Sequence, residues 1–427
     1  MSASSTRPSY AAVLRMPHAT RTFIAALVGR LSYGMVSLAV MLAVSRATGS
    51  YAVAGVVLAL FGAANVFLTP LRAALVDRHG PRRALLPMAS LYAGLLGVLA
   101  AVSRQPGASP IALGAAAVAA GACAPPLGAT MRAVWGELVP DRLLLQRAYS
   151  LDGVAEEVLF VSGPLLVGVV VGFASPAAAV VVSALLAGLG TLAFVTSPAV
   201  KGVAVRATRA TRAGRAGLRM RLGRGLVAPV VVAAGVGLSL GAVDLLVLAF
   251  AEQRGHGDGT VAWIFAALSA GSAVGGLLYG AVEWRAGARL RLPVPAAGLG
   301  LVLACAGLAP GLATLTGAVV CAGFFVAPAL TTAYLVADEA AAPGARVQAG
   351  AWVNTAVNAG ISAGAVAAGL LVGRLSLGMG FALAGGAALL AAAAVGMGAR
   401  RPRTLPQEQE QEQEQEVGAA EQGRERR

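Results

Sequence analysis

Five ionisable side chains, Arg30, Asp152, Glu156, Glu157 and Asp244, stand inside runs of otherwise apolar residues. At the centre of a bilayer such a charge costs ~2.5–3.5 kcal/mol even on lenient scales, so it persists only where it is paired, hydrated or used. Asp152 and Glu156 are four residues apart and share a helix face, whereas Glu157 points about 100° away. Two chemistries fit these residue types. One is reversible protonation of a carboxylate; the other is a fixed ion pair, Arg30–Glu156 or Arg30–Glu157, that locks two segments together. Asp244 has no base in its own segment. It suits a proton carrier, an attractor for a cationic ligand, or a side chain that snorkels to the surface. Tyr33, Ser37 and Asn65 are candidates for lining a cavity beside these charges, as are Tyr279, Tyr334 and Trp352.

Other chemistries lack their residues. Cys123, Cys305 and Cys321 all fall within apolar runs, so they spell out neither a disulfide framework nor a metal cluster. His18, His79 and His256 lie in loops or the N-terminal tail, which leaves no imidazole base among the apolar runs. Gly-x-Ser-x-Gly occurs at Gly237–Gly241 and again at Gly360–Gly364, but a nucleophile elbow needs a strand-to-helix turn. Within long apolar runs these are small residues for helix packing, like Gly271-x-x-x-Gly275 and Gly276-x-x-x-Gly280.

The elements that must position the charges are membrane helices. Charged residues make up 12% of the chain and hydrophobic ones 57%, against about 25% charged in a soluble domain. Twelve runs of about 20 residues, enough to cross some 30 Å of hydrocarbon, cover 22–44, 52–71, 84–103, 110–131, 150–173, 176–197, 227–251, 260–281, 292–309, 311–336, 350–373 and 377–399. In lipid every backbone polar group must be bonded within its own segment, so the fold class is all-α. Of 33 basic residues, Arg46, Arg104, Arg254 and Arg374 fall in one set of loops, Arg30 falls within a span, and 28 fall on the other side. That bias puts both termini in the cytoplasm. The +14 net charge is mostly this topology signal. Basic residues spread over loops without interleaved aromatics do not suggest nucleic acid. Residues 1–20 form a cytoplasmic tail with no signal-peptide core, and all but one of the basic residues are Arg, a GC-rich usage that points to a bacterial plasma membrane.

The chain also repeats itself. Shifted by 207 residues, Gly29–Val40 meets Val236–Val247 with six of twelve positions identical, and Ser37 falls on Asp244. Shifted by 202, Pro126, Thr130, Glu137 and Gln146 fall on Pro328, Thr332, Glu339 and Gln348. In that register Asp152 and Glu156 fall on Asn354 and Asn358, so the second half keeps hydrogen-bonding capacity and loses the charge. Two similar apolar halves predict six-helix bundles at 21–197 and 227–399 with a site between them. A linker at 198–226 with eight cations joins them, and 400–427 is a disordered cytoplasmic tail with a Gln-Glu tract.

The residues Ala73–Arg83, between the second and third spans, form a short basic loop carrying one acid, suited to latching neighbouring helix ends. It resembles the signature loop of the major facilitator superfamily, Gly-x-Leu-x-Asp-Arg-x-Gly-Arg-Arg. Leu75, Asp77, Arg78, Gly80 and Arg82 match, Arg83 follows, and Ala73 and Pro81 depart from it. A degenerate copy 207 residues on keeps Gly280, Arg285, Gly287 and Arg289, with Trp284 in place of the acid and Glu283 beside it. Gly163-Pro164 with Gly168 is similar to the fifth-helix motif of proton-driven drug antiporters in that superfamily, and Pro164 should bend its helix. The resemblance implies a monomeric transporter of two pseudo-symmetric bundles, without cofactor and energised by the proton gradient. Its partners would be a small-molecule substrate, protons and the lipid bilayer. Arg30, Asp152, Glu156 and Glu157 would couple protons while Asp77, Arg78, Gly80, Arg82 and Arg83 latch the cytoplasmic gate. Efflux of a small amphipathic compound is the leading expectation. Uptake of a metabolite is the alternative within transport, and a non-transporting membrane sensor or lipid-handling protein is the alternative outside it.

Overall fold

A computed structural model describes residues 9–105, 107–139, 141–201, 223–255 and 258–399. The helices are α1 Tyr10–Leu14, α2 Ala19–Thr48, α3 Tyr51–His79, α4 Pro81–Val102, α5 Pro110–Cys123, α6 Leu127–Leu138, α7 Arg142–Phe173 and α8 Pro176–Thr196. The second half continues with α9 Arg224–Gln253, α10 Asp258–Ala281, α11 Ala288–Arg291, α12 Pro293–Ala306, α13 Leu312–Ala340, α14 Arg346–Leu371 and α15 Leu377–Ala399. Counting α5 with α6 and α11 with α12 as single crossings, the described residues hold twelve segments long and apolar enough to span a membrane. The Gln-Glu tail and most of the basic linker lie outside the described residues.

Each half is packed the same way. In the first, α2 packs on α7 and α8, α3 on α5, and α4 on α8; in the second, α9 packs on α14 and α15, α10 on α13, and α12 on α15. These are the same crossings under the sequence repeat. Local bonds repeat too, since Thr130 donates to the Pro126 carbonyl (2.9 Å) and Thr332 to that of Pro328 (2.7 Å).

Glycine decides how closely the α9–α14 pair approaches. A methyl at Gly237 or Gly241 would meet the backbone of Val357 or Ile361, and one at Gly364 would meet that of Leu238. Both Gly-x-Ser-x-Gly stretches therefore serve helix contact, and the Ser239 hydroxyl donates to the Ala384 carbonyl (2.6 Å). Gly163 packs against the backbone of Gly34 in the same manner, whereas Gly168 faces open space and makes no such contact. The helix α7 runs unbroken from Arg142 to Phe173 through Pro164.

Two boundaries differ from the sequence expectation in ways that matter. The second and fourth runs were expected to end at 71 and 131, yet α3 reaches His79 and α6 reaches Leu138. The fourth crossing is broken at Ala124-Pro125-Pro126, because two consecutive prolines remove the donors a continuous helix needs. The expected loop at 73–83 contracts to Gly80, whose φ of 82° turns the chain directly from α3 into α4.

Candidate functional site: a buried charge quartet in the first half

Arg30 on α2 meets both helix-five acids that share a face. Its Nη1 donates to Asp152 Oδ1 (2.7 Å), and its Nη2 lies 3.0 Å from Glu156 Oε2. A second arginine closes the figure. Arg132 on α6 places Nε 3.0 Å from Asp152 Oδ2 and donates from Nη2 to Glu156 Oε2 (2.5 Å). Two guanidiniums and two carboxylates thus form a neutral quartet, each acid spanning both bases. Asp152 is fully buried and the arginines nearly so, but 29% of the Glu156 side chain is exposed.

This arrangement corrects the sequence reading in three places. Of the two expected pairs Arg30–Glu156 forms and Arg30–Glu157 does not, and Asp152 is an added partner of Arg30. The Glu157 carboxylate instead turns to the other half, where Ser272 of α10 donates to its Oε1 (3.0 Å). Finally, Arg132, placed one residue beyond its span by the hydropathy pattern, is a full member. The signal that could have found it is Pro125-Pro126, which restarts the helix and lets it carry Arg132 inward. Arg72 and Arg147, also expected in loops, are 4% exposed within α3 and α7.

Arg72 explains how the break in the fourth crossing survives. It donates from Nη1 to the Gly121 carbonyl (2.9 Å) and to that of Ala124, taking two acceptors that the broken helix leaves open. The Tyr33 hydroxyl takes the Pro125 carbonyl. Asn65 and Thr69 hold the guanidinium from the opposite side, at 2.8 and 2.6 Å from Nη2. A cavity of about 80 Å³ adjoins this clamp, lined by Arg30, Tyr33, Asn65, Arg132, Glu156 and, from the second half, Asn354 among others. The Tyr334 ring of α13 lies 3.8 Å from the Arg132 guanidinium, so the quartet touches both halves.

Of the remaining candidates, Asn358 folds its amide back onto the Asn354 carbonyl (2.8 Å) and does not line this cavity. Ser37 is exposed. Asp244 is exposed in a separate cavity of about 420 Å³ walled by Leu245, Leu248, Val261, Phe265, Leu268 and Ser269. It has no ion-pair or hydrogen-bond partner among the described residues.

The residues expected to act as a gate lie at one face. Asp77 accepts from the backbone amides of Val347 (3.2 Å) and Gln348 (2.8 Å), capping the start of α14 across the half boundary. Arg346 pairs with Glu137 (3.1 Å), and Arg142 with Glu339 (3.1 Å). At the pseudo-equivalent contact the polarity reverses: Gln146 donates to the carbonyls of Tyr279 (2.9 Å) and Val282 (3.2 Å) at the end of α10. Arg78 lies in the last turn of α3 and has a partner, while Arg82 and Arg83 are exposed at the start of α4. This set closes the face bearing the α3–α4 and α10–α11 turns.

Comparison with known proteins agrees with this architecture. No curated protein sequence matches the chain. Among solved structures, the human organic anion transporter MFSD10 (TETRAN) superposes with a TM-score of 0.70 at 17% identity, covering 91% of this chain and 100% of that one. A bacterial homologue of the iron transporter ferroportin in an outward-facing state gives 0.66 at 14% identity, covering 89% and 98%. The proton:xylose symporter XylE gives 0.64 at 15%, covering 92% and 97%. At such identities these likenesses speak for the fold. The family model described as Major Facilitator Superfamily matches residues 22–294 and 230–425. The chain, twelve helical crossings in two halves packed alike about a charged cavity, belongs to the major facilitator superfamily.

Proposed function

We propose that the protein exports a small amphipathic compound from the cytoplasm in exchange for protons, by alternating access of the site between its halves. The observation that carries this reading is the asymmetry of the quartet. Glu156 alone of the two acids lines the cavity and reaches water, while Asp152 stays sealed behind both arginines. Protonation of Glu156 leaves Arg30 and Arg132 sharing one carboxylate and frees positive charge toward the cavity. Loss of that proton restores the neutral quartet. Because Tyr334 lies over Arg132, a change in the quartet is felt by the second half.

Rigid rocking then requires the Asp77, Arg142 and Arg346 contacts to open and re-form. The arginine bias of the loops supports a cytoplasmic position for this closed face and for both termini, in a plasma membrane. Asp244, an exposed acid in a cavity with apolar walls, favours an amphipathic substrate with cationic character. The bundle limits 21–197 and 227–399, with basic linker 198–226, belong to the same proposal.

Dye efflux from proteoliposomes under an imposed pH gradient, comparing wild type with Glu156→Gln, tests the reading. Gradient-driven movement lost in the variant supports it. Transport that ignores the gradient, or is equal in the variant, makes the protein a facilitator and the quartet a scaffold.

A further inference from the structure

The closed face carries another cavity, open to its surface and of about 650 Å³, whose wall contains Arg142, Arg285, Arg291 and Arg346 but only two acids, Asp338 and Glu339. Both acids are already engaged. Arg346 lies 3.5 Å from Asp338, and Arg142 lies 3.1 Å from Glu339. Arg285 and Arg291 therefore have no acid partner among the described residues. Arg291 is nevertheless fixed. Its Nη1 donates to Gln146 Oε1 and to the Tyr279 hydroxyl, both at 2.9 Å, and its guanidinium lies 5.3 Å from the Trp284 ring centre. Its Nε is buried without an acceptor.

A guanidinium fixed by neutral hydrogen-bond partners, with a second arginine on the same wall, is the chemistry of an oxyanion site. The wall comes from both halves: Arg142 and Gln146 from the first, Arg285, Arg291 and Arg346 from the second. Counting Glu137, which pairs with Arg346 from behind the wall, four arginines face three acids, so closing this face leaves surplus positive charge that an anion would neutralise.

We propose that this cavity binds a phosphate-type oxyanion, supplied by a soluble phosphate compound or an anionic lipid head group, and that the bound anion ties the halves together at this face. Since the wall is complete only when the face is closed, the anion favours the closed state by linkage. This inference does not depend on proton coupling at the quartet.

The full-length protein in neutral detergent is titrated with sodium pyrophosphate, with ionic strength held constant by sodium chloride. In parallel it is reconstituted in neutral-lipid vesicles with or without phosphatidic acid. Hydrogen exchange at the Val347 and Gln348 amides, which Asp77 protects only while the face is closed, reports the closed population. We expect pyrophosphate, phosphatidic acid or both to slow this exchange saturably, by about tenfold at saturation. Arg291→Gln and Arg285→Gln should each weaken the apparent affinity by roughly tenfold. Slowing by pyrophosphate alone assigns a soluble phosphate compound, and slowing by phosphatidic acid alone assigns a lipid. Arg285 is exposed, so the Arg285→Gln protein carries the test if Arg291→Gln fails to fold. No slowing by either probe overturns the proposal, as does slowing that persists unchanged in Arg285→Gln.

Discussion

At the scale of single residues, the quartet divides labour between two acids of the same type and pairing. Asp152 is wholly buried, so replacing it leaves two buried guanidiniums sharing only Glu156. Removing one partner of a buried ion pair costs about 3–5 kcal/mol. Asp152→Asn should therefore lower the yield of folded protein, measured as the monodisperse fraction on size-exclusion chromatography. Glu156→Gln keeps the hydrogen-bonding shape at a partly exposed site. It should express near wild-type levels and lose gradient-dependent transport. Equal loss of folded protein in both variants would mean that the quartet only braces α2, α6 and α7. Arg30→Ala should likewise abolish coupled transport, as should Arg132→Ala, which no hydropathy window would have nominated.

At the scale of elements, the broken fourth crossing is the least ordinary piece. Consecutive prolines at 125 and 126 leave carbonyls without partners at a depth where water is scarce, and Arg72 satisfies two of them with one guanidinium. Arg72→Gln should lower the melting temperature in detergent, and Arg72→Lys should not restore it. An ammonium lacks the planar fork that reaches Asn65, Thr69 and the α5 carbonyls at once. A full rescue by lysine would argue for charge alone. The α9–α14 contact makes a sharper prediction, because Gly364 meets backbone and not a movable side chain. Gly364→Leu should eliminate folded protein, read by the same chromatography, whereas Gly168→Leu, with open space around it, should be tolerated.

At the scale of the whole molecule, every hydrogen bond and ion pair joining the halves among the described residues lies at the quartet's depth or toward one face. Asp77 caps α14 across the boundary, so Asp77→Asn weakens the charged acceptor on two amides without removing the side chain. The closed face should open more often, seen as faster hydrogen exchange at Val347 and Gln348. Unchanged exchange would show that the Arg346–Glu137 and Arg142–Glu339 pairs hold the face by themselves.

Much of this was legible in the residues alone. Twelve crossings, the internal repeat and the nearness of Arg30 to Glu156 follow from length, period and depth, because a bilayer imposes the same requirement on every segment, and the superfamily came from the resemblance of the Ala73–Arg83 loop to its signature motif. The sequence by itself also marked the Gly-x-Ser-x-Gly stretches as packing. Only the tertiary structure decided which acids pair. Helical spacing places Asp152 and Glu156 on one face but says nothing of the helix opposite, so Arg132 stayed hidden and Glu157 was grouped with neighbours it turns away from. Hydropathy likewise treats an arginine at the edge of an apolar run as loop. Whether it dives inward depends on acceptors contributed by other helices, as the α5 carbonyls do for Arg72, and those are set by packing between segments far apart in the chain.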